Sequence, residues 1–235
     1  MASISEVKMG LNISKGNMYS GWITHTWNPI KGKCLHNCEY CYMKKWGELK
    51  DAHLVGKEFI DLGNDKSIFV GSSTDIFAAN IDQTWIIKIQ DHCRKFDNQY
   101  LFQTKNIDRI INPAYLDFFP EKTIICTTLE TNRNYIHIMN NSPSPESRVT
   151  AYEKIDKYTH RKYKKYLTIE PIMDFDLSEF IELIKRCEPE QVNIGADSGG
   201  HKLPEPNKDK ILMLIDELNK FTNVENKRNI GRLLK

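Results

Sequence analysis

Short apolar runs that alternate with longer amphipathic stretches constrain this chain more than any other feature. Six runs read as strands: Gly21–Trp27, Ser67–Ser72, Tyr100–Thr104, Thr123–Thr128, Tyr166–Glu170 and Gln191–Gly195. Most are continuously apolar, the pattern of strands covered on both faces of a parallel sheet. Between them, Tyr42–Leu49, Asp82–Phe96, Asp108–Phe119, Pro145–Tyr163, Ser178–Arg186 and Asn207–Phe221 read as helices. The third is interrupted by Pro113, and the last opens on an Asn cap. Parallel neighbours need crossover connections, so the alternation predicts an α/β fold, a βα barrel or a doubly wound sheet. A complete eight-unit barrel takes about 250 residues. The 235 residues here fit a partial (β/α)6 TIM-like barrel better. The expected layout is an N-terminal extension over 1–18, the barrel over 19–221, and a tail or short closing helix over 222–235.

Composition narrows the class. With 40% hydrophobic residues and a net charge of +2, disorder is excluded, and total charge gives no argument for nucleic acid or an anionic membrane. No apolar run is long enough to span a membrane. The first residues, MASISEVKMGLNISKGN, lack the apolar stretch of a signal peptide. A cytoplasmic enzyme or binding protein is expected.

The cysteines carry the chemistry. Cys34, Cys38 and Cys41 crowd into one segment, THTWNPIKGKCLHNCEYCY, whereas Cys93, Cys126 and Cys187 stand alone and read as core thiols. The C-x3-C-x2-C spacing follows the first strand directly, so the loop leaves the carboxyl end, where α/β folds place their sites. Three thiolates can hold three irons of a 4Fe–4S cube and leave the fourth iron open to the amine and carboxylate of a small ligand. Gly32 permits a tight turn, and Lys31 and Lys33 offset the thiolate charge. A structural zinc site using these cysteines with His36 or His53 is the alternative, although zinc knuckles usually come as two C-x2-C pairs and the second is missing.

The loop resembles the signature of the radical S-adenosylmethionine (SAM) superfamily, C-x3-C-x-aromatic-C, with Tyr40 in the aromatic slot. The segments WITHTWNPIKGKC, FVGSSTDIF, LFQTKN, LTIEP and NIGADSG look like those of phage-type radical SAM proteins encoded beside three-Cys-motif partner proteins. The resemblance runs from Lys15 to about Asn219. It implies a 4Fe–4S cluster on Cys34, Cys38 and Cys41, bound SAM, and an electron donor such as flavodoxin or ferredoxin. A three-Cys-motif partner protein is implied as well. The implied reaction is reductive cleavage of SAM to a 5′-deoxyadenosyl radical that takes hydrogen from a small molecule, nucleotide or nucleic-acid base. The resemblance places the methionine amine of SAM at the end of strand two, over Ser72, Ser73, Thr74 and Asp75, although the Gly-Gly-Glu common there is absent. It places ribose and adenine at the ends of strands four to six, near Thr128, Glu130, Asn193, Gly195 and Asp197.

Strand parity gives an independent inward-facing set. It comprises Gln103 and Lys105, Thr128 and Glu130, Thr168 and Glu170, and Asn193 and Asp197. Lys105, Glu170 and Asp197 are the candidate proton donors or acceptors, with Glu170 expected beside Lys105. Blander roles exist for several of these. Ser72, Ser73 and Asp75 suit a helix cap, Glu170 before Pro171 suits a strand end, and residues 195–200 (GADSGG) suit a phosphate nest. The segment NNSPSPES over Asn140–Ser147 reads as a surface insertion. Lys154–Tyr166 gathers six Lys and Arg with three Tyr. On a helix, Lys154, Lys157, Arg161 and Lys164 would share one face, either solvated or gripping nucleic acid. A second class follows from that face: a non-catalytic nucleic-acid-binding protein stabilised by zinc.

Overall fold

The six expected strands all form and lie side by side in chain order. The computed structural model describes residues 10–14, 18–160 and 163–235. Much of the expected N-terminal extension, together with Arg161 and Lys162, lies outside the described residues. The strands are β1 (Asn12–Ile13), β2 (His25–Trp27), β3 (Ile30–Lys31), β4 (His53–Leu54), β5 (Ser67–Val70), β6 (Gln99–Gln103), β7 (Thr123–Thr128), β8 (Lys164–Ile169), β9 (Gln191–Ile194) and β10 (Asn223–Asn226). The main sheet runs β1-β2-β5-β6-β7-β8-β9-β10, parallel except for β1. Strands β3 and β4 form a small antiparallel pair that brackets the cysteine loop.

The helices are α1 (Gln83–Cys93), α2 (Ile107–Ile110), α3 (Pro113–Leu116), α4 (Ile136–Met139), α5 (Pro145–Tyr152), α6 (Ile155–Tyr158), α7 (Leu177–Arg186) and α8 (Lys208–Leu218). Asp82 caps α1 through the Thr84 N–H at 2.7 Å, and Asn207 caps α8 through the Lys210 N–H at 2.9 Å. The segment around Pro113 breaks into α2 and α3, because proline suits a first helical turn and not a helix interior.

The register sorts the strand side chains into two faces. Outward-facing Trp27, Val70, Tyr100, Phe102, Ile125, Leu167, Val192 and Ile194 pack against apolar helix faces in one large core. The inner face carries Phe69, Leu101, Ile124 and Cys126, plugged from one side by Tyr19 and Ile23 and flanked by Trp22 and Tyr166. Tyr19 donates its hydroxyl to Gln103, and the Lys227 ammonium lies 4.0 Å from the centre of its ring. The N-terminal turn Met18–Gly21 therefore reaches across the interior to both β6 and the segment after β10. This is the partial TIM-type barrel expected from sequence.

Two expectations change. The segment expected as a tail or short closing helix first supplies β10, which pairs in parallel with β9 from Asn223↔Gln191 to Asn226↔Ile194, and then a short 3-10 helix over Arg228–Arg232. The helix expected through Tyr163 stops at Tyr158, and Lys164 already belongs to β8. Lys154, Lys157 and Lys164 thus share no continuous helix face. Lys165 is buried on Asp156 at 2.6 Å, and Tyr163 is buried with its hydroxyl on the Leu116 carbonyl at 2.6 Å. Among the described residues the basic run is divided between a helix and a strand, and Arg161 and Lys162 lie outside them.

Phe102 is fully buried between Phe77 and Phe119, with ring centres 6.3 and 4.8 Å away. Replacing it with Ala is expected to cost about 3–5 kcal/mol of unfolding free energy, read as a lower urea midpoint at unchanged m-value.

Candidate active site

The polar side chains gather where parallel strands end. The cysteine loop leaves β2, Asp75 follows β5, Lys105 follows β6, Glu130 follows β7, Glu170 follows β8 and Asp197 follows β9. All are carboxyl ends, the face on which barrel enzymes build their sites.

The cysteine loop is held from three directions. At its entrance, Gly32 has φ 111°, and a Cβ there would sit 2.5 Å from the Asp51 carbonyl oxygen, so only glycine fits. The β5 loop holds it from inside: the Thr74 hydroxyl donates to the Gly32 carbonyl at 2.9 Å, and His36 Nε2 donates to Asp75 at 2.9 Å. The segment after α4 holds it from the other side. Asn140 Nδ2 donates to the Asn37 carbonyl at 2.8 Å, Asn141 Nδ2 to the Leu35 carbonyl at 3.0 Å, and Ser142 Oγ lies 3.2 Å from Cys38 Sγ. The NNSPSPES segment expected as a surface insertion is therefore the brace of this loop, and its Ser144 caps α5.

The three loop cysteines carry no disulfide. Cys38 is buried and the other two are half-buried. Burial pushes the Cys34 thiol up to about 12, with Asp75 adding to the effect. Among the described residues, no three His, Cys, Asp or Glu side chains converge on a single ion-sized point. His36 Nε2 faces Asp75 and leaves a buried Nδ1 without a hydrogen-bond partner among the described residues, while His53 Nδ1 sits 2.9 Å from the Asp51 carbonyl. Three unpaired thiols on one braced loop fit a cluster whose irons are ligated one thiolate each.

Beneath the loop lies a buried ionic group. Glu130 is fully buried and accepts from the Tyr40 hydroxyl, from Arg148 Nη1 at 2.6 Å, and lies 3.4 Å from Lys105 Nζ. Burial alone would raise its carboxyl, but Arg148, Lys105 and Tyr40 outweigh it and hold the pKa at about 2. Burial likewise disfavours the Lys105 ammonium, yet Cys38 and Glu130 keep it above the ordinary lysine value. Its charge sits 4.9 Å from the centre of the Tyr40 ring. Arg148 Nη2 is buried with no hydrogen-bond partner among the described residues. The Lys105 ammonium, which interacts with Cys38, is thus set beside a loop of thiols, which suits an anionic metal cluster. Sequence reading missed Arg148, although a charge on the same α5 face as buried Tyr152 signals a buried partner.

Each remaining candidate has a definite place. Asp75 accepts from His36, from the Thr104 hydroxyl and the Lys105 N–H at 2.9 Å, and from the Phe77 N–H at 2.9 Å. Burial opposes its ionisation, and these donors, His36 first, still bring its carboxyl below the usual range. Ser72 and Ser73 donate their hydroxyls to Asn28 at 3.1 Å and stay partly exposed. Thr128 accepts from Gln103 at 3.1 Å, and Asn193 donates to the Leu167 carbonyl at 3.1 Å.

Glu170 does not stand beside Lys105. It pairs with Lys227 and accepts from Asn229 at 2.9 Å, both from the segment after β10, while Lys105 turns to Glu130. A Cβ on Gly195 would meet the Glu170 carboxylate at 2.7 Å, so Gly195 makes room for this pair. Asp197 closes its own loop, accepting from the Gly199 N–H at 2.9 Å and facing His201 Nδ1 at 2.6 Å.

No family model and no curated protein matches the chain. Among solved structures, two variants of spore photoproduct lyase have TM-scores of 0.63 and 0.65 at 13% and 14% identity, each covering 93% of this chain and 80% of the other. Streptococcus suis SuiB, bound to its precursor peptide SuiA, has a TM-score of 0.54 at 10% identity, over 86% of this chain and 48% of SuiB. Both are radical SAM enzymes with partial TIM barrels, and at these identities the likeness is one of fold.

Replacing Glu130 with Gln is expected to cost about 3–5 kcal/mol, because Arg148 is left buried without its anion. The wild-type pair contributes fully above the unfolded glutamate value of 4.5 and is lost as pH falls toward about 2. Acid titration of stability should show that slope in wild type and lack it in the variant.

Proposed function

We propose that this chain is a radical SAM enzyme. The carrying observation is the C-x3-C-x-Tyr-C loop, with three unpaired cysteines, braced at the carboxyl end of the first barrel strand in a fold shared with radical SAM enzymes. Cys34, Cys38 and Cys41 would hold the 4Fe–4S cluster, and Lys105, which interacts with Cys38, would offset its charge. The chemistry such a cluster would supply when bound is one-electron reductive cleavage of SAM to a 5′-deoxyadenosyl radical, which would take hydrogen from substrate.

The chain's own residues bind, orient and exclude water. The half-exposed Ser72 and Ser73 hydroxyls suit the SAM amine. Thr74 and Asp75 act one step back, by fixing the loop at Gly32 and His36. Asn193 and Gly195 sit on the side expected for adenine, with Glu130 acting through Tyr40. Substrate would enter from the carboxyl ends of the strands, where the polar side chains gather, above the interior filled by Tyr19 and its neighbours. Lys105, Glu170 and Asp197, which follow β6, β8 and β9, are the candidate proton donors or acceptors at those strand ends. Substrate classes consistent with this opening are a small molecule, a nucleotide or a base. A flavodoxin or ferredoxin as electron donor, a three-Cys-motif partner protein and a cytoplasmic setting complete the proposal. No helix among the described residues is long and apolar enough to cross a membrane.

Anaerobic reconstitution with iron and sulfide, followed by SAM and dithionite, is expected to give a brown protein that forms 5′-deoxyadenosine. Cys34→Ala, Cys38→Ala and Cys41→Ala should each lose both colour and product. A colourless protein that takes up only zinc and leaves SAM intact would refute the proposal.

A further inference from the structure

We propose that His201, oriented by Asp197, is the proton-transfer residue at the mouth of this site, an inference that rests on the function proposed above. The Asp197 carboxylate follows β9, and its side chain is only 4% exposed. It faces His201 Nδ1 at 2.6 Å, and it accepts from the His201 N–H at 2.5 Å and the Gly199 N–H at 2.9 Å. A carboxylate at Nδ1 sets the ring proton there and leaves Nε2 with its lone pair. The imidazole is 26% exposed, and no described residue hydrogen-bonds its Nε2. A buried anion behind an accessible imidazole is the arrangement of a general base.

The loop is shaped around this pair. A Cβ on Gly199 would sit 1.9 Å from His201 Cε1 and 2.6 Å from both ring nitrogens, so the ring lies in the space that glycine leaves open. Gly200, with φ 68°, turns the chain back so that a residue four places after Asp197 meets its carboxylate. The frame behind is fixed as well. Glu205 accepts from the Asp197 N–H at 3.1 Å, and Arg232, which pairs with Glu205, donates to the Asp197 carbonyl at 2.9 Å. Burial opposes ionisation of Asp197, but His201 and the two backbone donors still bring its carboxyl below the ordinary value.

Position selects the role. Asn140 and Lys44 chiefly hold the Glu39 carboxyl below its ordinary value, and the charge of His201 adds to them. Glu39 lies between Cys38 and Tyr40, so the loop after β9 comes close to the cysteine loop after β2, although four strands stand between β2 and β9 in the sheet. His201 thus stands where the two margins of the mouth meet. Lys105 is engaged by Glu130, and Glu170 by Lys227 and Asn229, whereas His201 Nε2 is free among the described residues. Loss of hydrogen from a carbon acidifies an O–H or N–H on it, and a base at the mouth completes that step. The O–H or N–H bond breaks, the Nε2–H bond forms and the electron pair stays on the substrate. The proton then leaves to water from the exposed edge of the ring.

Ethoxycarbonylation of the full chain by diethyl pyrocarbonate at about pH 8, where the ordinary imidazole is neutral, is followed by peptide mass spectrometry. The exposed His53 and His137 serve as internal references. His201 is expected to react about fivefold faster than either, because Asp197 raises the basicity of Nε2. Asp197→Asn should bring it down to their rate. So should Gly199→Ala, which keeps both groups and only pushes the ring away, and so covers an Asp197 variant that fails to fold. His201→Asn retains an amide N–H for Asp197 and is expected to keep the wild-type melting temperature. In the cluster-loaded chain, saturating SAM should slow modification of His201 and leave that of His137 unchanged. A His201 rate no higher than the references, or one insensitive to Gly199→Ala, overturns the proposal. A marked fall in melting temperature for His201→Asn assigns the pair to holding the loop and overturns it too. SAM that binds without protecting His201 overturns its place at the mouth. A chain that takes up no cluster defeats the functional proposal instead, and the reactivity of His201 is read on the unloaded chain regardless.

Discussion

The buried contact between Glu130 and Arg148 is the constraint on which the site depends. Both side chains are fully shielded from water, a costly arrangement unless every partner is in place. Four elements supply those partners: Glu130 ends β7, Arg148 comes from α5, Lys105 ends β6, and Tyr40 belongs to the cysteine motif. The anion survives burial because two cations and a phenol face it. Such a cluster adds little net stability compared with an apolar core, but it tolerates only one geometry. Its contribution is placement, setting the motif's aromatic residue and its nearest ammonium at fixed positions below the thiols.

A second arrangement repeats this logic on the far side of the mouth. Glu170 is held by Lys227 and Asn229, so the chain after β10 is tied to the end of β8 across the last strands. Lys227 also covers the Tyr19 ring from above. The two ends of the barrel domain thus meet over its interior, which accounts for a half-closed sheet holding a defined mouth without a full ring of eight units.

The barrel was legible in the sequence because strands buried on both faces are mostly continuous apolar runs, and each of the six expected runs contains a strand. Strand β10 was hidden by the same rule. Its sequence NVEN is polar because it lies at the sheet edge, where one side stays wet. The cysteine motif could be picked out from spacing because its three thiols lie on one loop. Partner choice among charged residues could not. Glu170 pairs 57 positions away and Tyr40 meets Glu130 across 90, distances over which strand parity gives direction but not neighbours. The basic run misled because Lys165 enters β8 as a buried, paired residue, so a sequence-adjacent cluster of charge was divided between a helix and a strand.

The brace on the cysteine loop has a consequence for the order of events during synthesis. Cys38 is held by Ser142 and Leu35 by Asn141, across 104 and 106 residues. The thiols leave the ribosome long before their brace exists, and closing so long a segment awaits β5, β6 and β7. A nascent chain therefore carries three unbraced thiols, open to oxidants and to stray metal ions. Maturation of this protein is accordingly a late step, one that begins only when the second half of the polypeptide has joined the first.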